Sequence, residues 1–131
     1  MEEQYVTFKT AKLAKEKGFN EICHYFYRTD GTSTNHTERN SASGLWCAAP
    51  TQSLLQRWLR ETHNIFIEIT YEFYPDGINY NFQVLTYDSK EKIDYINNDK
   101  STGIYGDNGE YNTYELALEA ALQKALSFIE I

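Results

Sequence analysis

Cysteine is scarce. Cys23 and Cys47 are the only two in 131 residues, too few for the disulfide framework of a small secreted domain. No apolar run approaches the roughly 20 residues needed to span a bilayer. The opening MEEQYVTFKT lacks a basic segment followed by an apolar one, the pattern of a secretory signal. The expectation is a reduced, cytoplasmic setting without membrane contact. A basic surplus is missing too: the net charge is −7. Residues 1–65 carry eight Lys/Arg and seven Asp/Glu (+1), and residues 66–131 carry four and twelve (−8). Nucleic-acid binding leaves a basic footprint, and an acidic half repels phosphate. Such a binder would have to work through Lys9, Lys12, Arg57 and Arg60. A basic protein partner suits the charge better.

Catalytic and metal-binding spacings are also lacking. Cys47 precedes a proline-led helical stretch, and a helix N-terminus favours thiolate. A base is still required, and His63 lies at the far end of the same stretch, roughly 18 Å away at about 1.5 Å per residue. Between Trp46 and Ala48, Cys47 reads as a small buried hydrophobe. Cys23, His24, Cys47 and His63 are suitable zinc ligands by type, but no C-x2-C pair is present. Cys23 and His24 are adjacent, and in a strand they would point to opposite faces. The acidic loop residues around Asp99 and Asp107 do not match a calcium loop. Gly103, Gly106 and Gly109 lack the Lys-Ser/Thr end of a phosphate loop. The residues therefore point to no catalytic group, no metal and no cofactor.

What the chain does have is periodicity. A length of 131 residues suits one domain, 1–131, with a core that buries roughly two thirds of the unfolded surface. Residues 7–17 read as a helix capped by Thr7 and stopped by Gly18, with Phe19 folding back on it. Residues 22–28 are a short aromatic run, read as a strand. Residues 30–44 are rich in Gly, Ser, Thr and Asn and read as an exposed loop. In residues 51–63, Leu54, Leu55, Trp58 and Leu59 form one apolar stripe on a helix, with Asn64 as its left-handed end. Residues 65–74 and 78–87 alternate strictly around Pro75-Asp76-Gly77, which makes a hairpin. Residues 88–112 read as a long polar loop holding at most one short strand. Residues 113–129 form a closing helix capped by Thr113, with a stripe of Tyr114, Ala117, Leu118, Ala121, Leu122, Ala125 and Ile129. The order predicts an α+β fold: a small antiparallel sheet built on the hairpin, with the three helices packed mainly on one face.

Three segments, VTFKTAKLAKEKGF, APTQSLLQRWLRE and TYELALEAALQKALSFI, resemble a family of small proteins from gut bacterial genomes and their phages and mobile elements. The resemblance covers both termini and the middle helix. It leaves 30–44 and 88–112 unmatched. It implies a phage or mobile-element setting, and since the family has no activity attached to it, it assigns no catalytic residues. The family pattern has a second glutamate after Tyr-Glu in the last helix; Leu116 stands there instead, so the cap should be weaker.

Tyrosine is abundant: eleven in all, eight from Tyr71 onward. Tyrosine supplies large contact area at low entropy cost. Aromatics occur on both sides of the predicted hairpin, so burial on one side would leave some exposed. The expected binding residues are Phe66, Tyr71, Phe73, Tyr74, Tyr80 and Tyr87. The expected function is non-catalytic contact with a protein partner or with further copies of the chain. The alternatives are a small-ligand module, with a pocket lined by Tyr and Trp, and an acidic mimic of nucleic acid that occupies a basic groove.

Overall fold

Helix and strand boundaries follow local chemistry in the computed structural model, which describes residues 4–40, 46–87 and 104–129. Helix α1 (Phe8–Glu16) begins where the Thr7 hydroxyl accepts the Thr10 N–H. It ends at Gly18, whose φ of 95° is cheap only for glycine. The Phe19 N–H returns to the Ala14 carbonyl (3.0 Å) and the Gly18 N–H to that of Lys15 (3.1 Å), a Schellman closure. Strands β1 (Cys23–Tyr27), β2 (Ser33–Glu38) and β3 (Cys47–Ala48) follow. Helix α2 (Gln52–His63) is capped by Thr51 and ended by Asn64 in the left-handed region. Strands β4 (Ile65–Tyr74) and β5 (Gly77–Thr86) form the hairpin, β6 (Ile104–Tyr111) adds to it, and α3 (Tyr114–Ser127) closes the fold behind a Thr113 cap.

The fold is α+β, and its strands make two antiparallel sheets rather than one, ordered β2-β1-β3 and β4-β5-β6. Two expectations are corrected here. Residues 30–44 are not simply a loop: after a turn in which the Arg28 N–H bonds the Thr32 carbonyl (2.7 Å), residues 33–38 pair with β1. Ser-Thr-Asn-His-Thr-Glu forms an outer strand, exposed along most of its length. Its ladder is made by backbone groups, so it carries no apolar alternation to read. Residues 88–112 likewise contain a full strand at 104–111, paired with β5. Its Gly, Asp and Asn content is poor strand chemistry, overridden by pairing to a formed neighbour. Residues 41–44 and 88–103 of the two expected loops lie outside the described residues.

One core joins both sheets. Phe19, Phe26, Leu55, Leu59, Leu122 and Leu126 are sealed in it. Helix α3 packs across β4 and β5 and against α1 and α2, while α1 lies on β3 and α2 along β4. The stripe expected on α3 holds from Ala117 to Ile129, but Tyr114 is exposed and Glu119 is buried within it.

Glu119 is the polar centre of the three-helix contact. Its Oε2 accepts the Thr7 N–H (3.0 Å), the Thr7 hydroxyl (2.9 Å) and the Thr10 hydroxyl. Its Oε1 accepts Gln52 Nε2 (3.0 Å), which also donates to the Glu115 carbonyl (3.0 Å). Among the described residues no cation pairs with it. Neutral donors at the starts of α1 and α2 satisfy the carboxylate, aided by the positive end of the α1 dipole. Glu119→Ala would strand those donors and should destabilise by about 3 kcal/mol. Glu119→Gln should cost less. Urea unfolding of both variants checks this, and a loss below about 0.5 kcal/mol, the scale of an ordinary surface change, would contradict the role.

Candidate functional site

The hairpin is the feature that the core does not absorb. Its strands pair one to one from Ile65↔Thr86 to Tyr74↔Gly77, a length of roughly 30 Å at about 3.3 Å per residue. On the face towards the helices, Ile65, Ile67, Ile69, Phe82 and Val84 join the core or pack against it. Farther out on that face, the helices no longer cover the sheet. Phe73 is 72% exposed and Tyr71 56%, and Ile78, which pairs with Phe73, is exposed too. Tyr71 meets Phe73 edge-on (ring centroids 5.5 Å) and also Tyr80 (6.3 Å). The hairpin therefore ends in an aromatic cluster projecting beyond the core.

The six expected binding residues separate into places. Tyr71, Phe73 and Tyr80 come together at this tip. Tyr74 is also near the turn but on the opposite face, beside Glu72, to which its hydroxyl donates (2.5 Å). Phe66 is exposed on that opposite face at the base, paired with Leu85. Tyr87 sits at the base, where its N–H bonds the Asn64 carbonyl (3.1 Å). Ile78 was missed as a contact residue although its alternation placed it on the right face. The free aromatic surface is thus not mainly the face behind the helices; most of it is the distal half of the helix-side face. The hairpin is longer than its cover, and strand alternation alone carries no information about where a helix ends. Residues 65–87 hold Glu68, Glu72 and Asp76 and no Lys or Arg, so the projecting arm is acidic throughout.

The sequence-level nucleophile and ligand candidates have ordinary structural places. Cys47 lies in β3, paired with Tyr27 and buried. Burial pushes its thiol pKa up, partly opposed by Lys15 and Lys12. Burial, with Glu21 adding, pushes the Cys23 thiol up to about 11. Cys23 faces the core while His24 is exposed and hydrogen-bonded to Thr37 Oγ1 (3.0 Å). Among the described residues no three His, Cys, Asp or Glu side chains cluster as a metal site. Clefts open to solvent among the described residues include one of about 420 Å³ bounded by His63, Ile65, Thr86, Phe128 and Ile129, one of about 370 Å³ bounded by residues including Lys9, Phe82, Tyr111 and Lys124, and one of about 320 Å³ bounded by Lys15, Gly18, Phe19, Asn20 and Asn40. No tryptophan is among the described residues that line these three.

No family model matches the chain, and neither a curated protein nor a solved structure does. No described helix is long and apolar enough to cross a membrane.

Two outcomes follow from these environments. Both thiols should resist a thiol-disulfide exchange reagent at neutral pH in the native protein and react promptly in urea. Fast native labelling of Cys47 would contradict a protonated core thiol. His63 stacks edge-on against Trp58 (4.7 Å), and burial lowers its pKa below the ordinary 6.5. The folded state therefore prefers the neutral ring more than the unfolded chain does. That contribution is full above pH 6.5 and is lost as pH falls through the lowered folded value. Unfolding free energies at pH 7 and pH 5 should show a smaller acid loss for His63→Gln than for the parent chain; equal losses would contradict it.

Proposed function

We propose that this chain is a non-catalytic accessory protein, of phage or mobile-element origin, that works by contact with protein through the end of its β4–β5 hairpin. The observation that carries the reading is the exposed cluster of Tyr71, Phe73 and Ile78 on an arm reaching past its own core. Keeping such a cluster in water forfeits the burial that Ile65, Phe82 and Val84 obtain on the same face. Contiguous exposed apolar surface on a soluble domain marks a contact site, and tyrosine and phenylalanine are the residue types enriched in interface cores. The buried, protonated thiols supply no nucleophile to compete with this reading.

A second reading has one observation in its favour. Glu68, Glu72 and Asp76 with no compensating base on the hairpin suit an acidic mimic that occupies a basic groove. The two separate by salt: apolar docking holds as ionic strength rises, whereas charge mimicry weakens steeply.

A photo-crosslinking residue in place of Phe73 should capture a protein in cells of the native host, and the same group at Thr62, exposed on α2, should not. Equal or absent adducts at the two positions would remove the hairpin end as the contact surface.

A further inference from the structure

β4 is an outer strand of its sheet, and two bonds establish which way its backbone groups point. The Asn64 carbonyl accepts the Tyr87 N–H (3.1 Å), so the ladder to β5 starts on an even position. The Ile67 carbonyl instead turns outward to Gln56 Nε2 on α2 (3.3 Å). Residues of an antiparallel strand alternate between bonding the neighbour and turning away. Positions 69, 71 and 73 therefore present N–H and C=O to an edge that no described strand covers, beyond the point where α2 closes it. Natural sheets blunt such edges with proline, lysine, bulges or short strands. β4 is ten residues long, pairs with β5 without a bulge, and contains neither proline nor lysine. Its outward residues Tyr71 and Phe73 are those with the exposed rings.

We propose that this edge pairs antiparallel with β4 of a second copy, about a two-fold axis at Tyr71, joining the two β4–β5–β6 sheets into one. The proposal rests on the hairpin being a protein-contact surface and names its occupant. Antiparallel pairing about a two-fold axis is self-complementary, and the sequence allows one register. Centred on Ile69, the ladder would need the Ile67 carbonyl that Gln56 already holds. Centred on residue 70, Glu68 would face Glu72 of the second copy; centred on residue 72, Glu72 would face itself, and like charges opposite one another destabilise a pair. Centred on Phe73, Tyr71 would face Pro75, which has no N–H. Centred on Tyr71, Glu72 faces Thr70, Glu68 faces Tyr74, and Phe73 faces the half-buried Ile69 of the second copy. Positions 69, 71 and 73 then each exchange two backbone bonds across the axis.

Each chain carries −7, so the dimer should tighten as salt rises and screens the repulsion, the opposite of an ionic contact. Sedimentation equilibrium into the millimolar range should show a micromolar dimer. Amide hydrogen exchange at Ile69, Tyr71 and Phe73 should slow as concentration increases. Tyr71→Pro removes an outward N–H and no β4–β5 bond, and should weaken association at least tenfold; Tyr71→Val, which keeps the N–H, should retain it. If Tyr71→Pro loses its cooperative thermal transition, Phe73→Lys serves the same end by placing a charge on the edge. A monomer at millimolar concentration, or a dimer whose three amides exchange at the monomer rate, overturns the pairing. A monomer whose position 73 still cross-links to another protein overturns self-pairing alone; a monomer without adducts overturns the contact surface as well.

Discussion

A single carboxylate, with no cationic partner among the described residues, holds the three helices in register. Glu119 sits 7% exposed inside an otherwise apolar helix face and takes donors from Thr7 at the cap of α1, from Thr10 in its first turn, and from the first residue of α2. A buried charge is tolerable only when its lone pairs are met. That requirement leaves little freedom in how α1, α2 and α3 approach one another. Gln123 extends the network by donating to the Thr10 hydroxyl (3.0 Å). Apolar stripes alone would allow neighbouring rotations of α3; the polar node selects one.

With α3 so positioned, its small residues Ala121 and Ala125 pack within the core that also takes in Ile65, Phe82 and Val84. The helices cover the base of the hairpin and end there. The inner half of the arm is three strands wide, since β6 pairs with β5 from Tyr80 to Leu85; beyond Tyr80 the arm is the two-stranded β4–β5 ribbon, which is marginal by itself in water. The same arrangement leaves β4 as an outer strand, and the residues whose backbone groups no described strand meets are those with the exposed rings.

Much of this was legible in the chain. Thr7 and Thr113 cap the helices they were expected to cap, and Thr113 still accepts the Leu116 N–H (3.1 Å) although the reciprocal glutamate is missing. Gly18 and Asn64 end theirs in the left-handed region. The hairpin was readable because alternation and a Pro-Asp-Gly turn agree. β2 and β6 were not, since outer strands paired through backbone bonds need no apolar side chains. Glu119 was illegible as a buried group because glutamate on a helix ordinarily faces water. Of the contact residues, Tyr71, Phe73 and Tyr80 were expected and meet at one place, while Phe66 and Tyr87 sit at the other end of the arm.

By itself, then, the order of residues determined the local elements: caps, stops, helical stripes and the alternating ribbon, each governed by interactions within a few positions. Only the tertiary structure decided that there are two sheets, that Glu119 lies at their shared helical centre, and that the far half of the ribbon is left uncovered. Those outcomes depend on how far one element extends relative to another and on which backbone groups find distant partners, quantities that no local spacing contains.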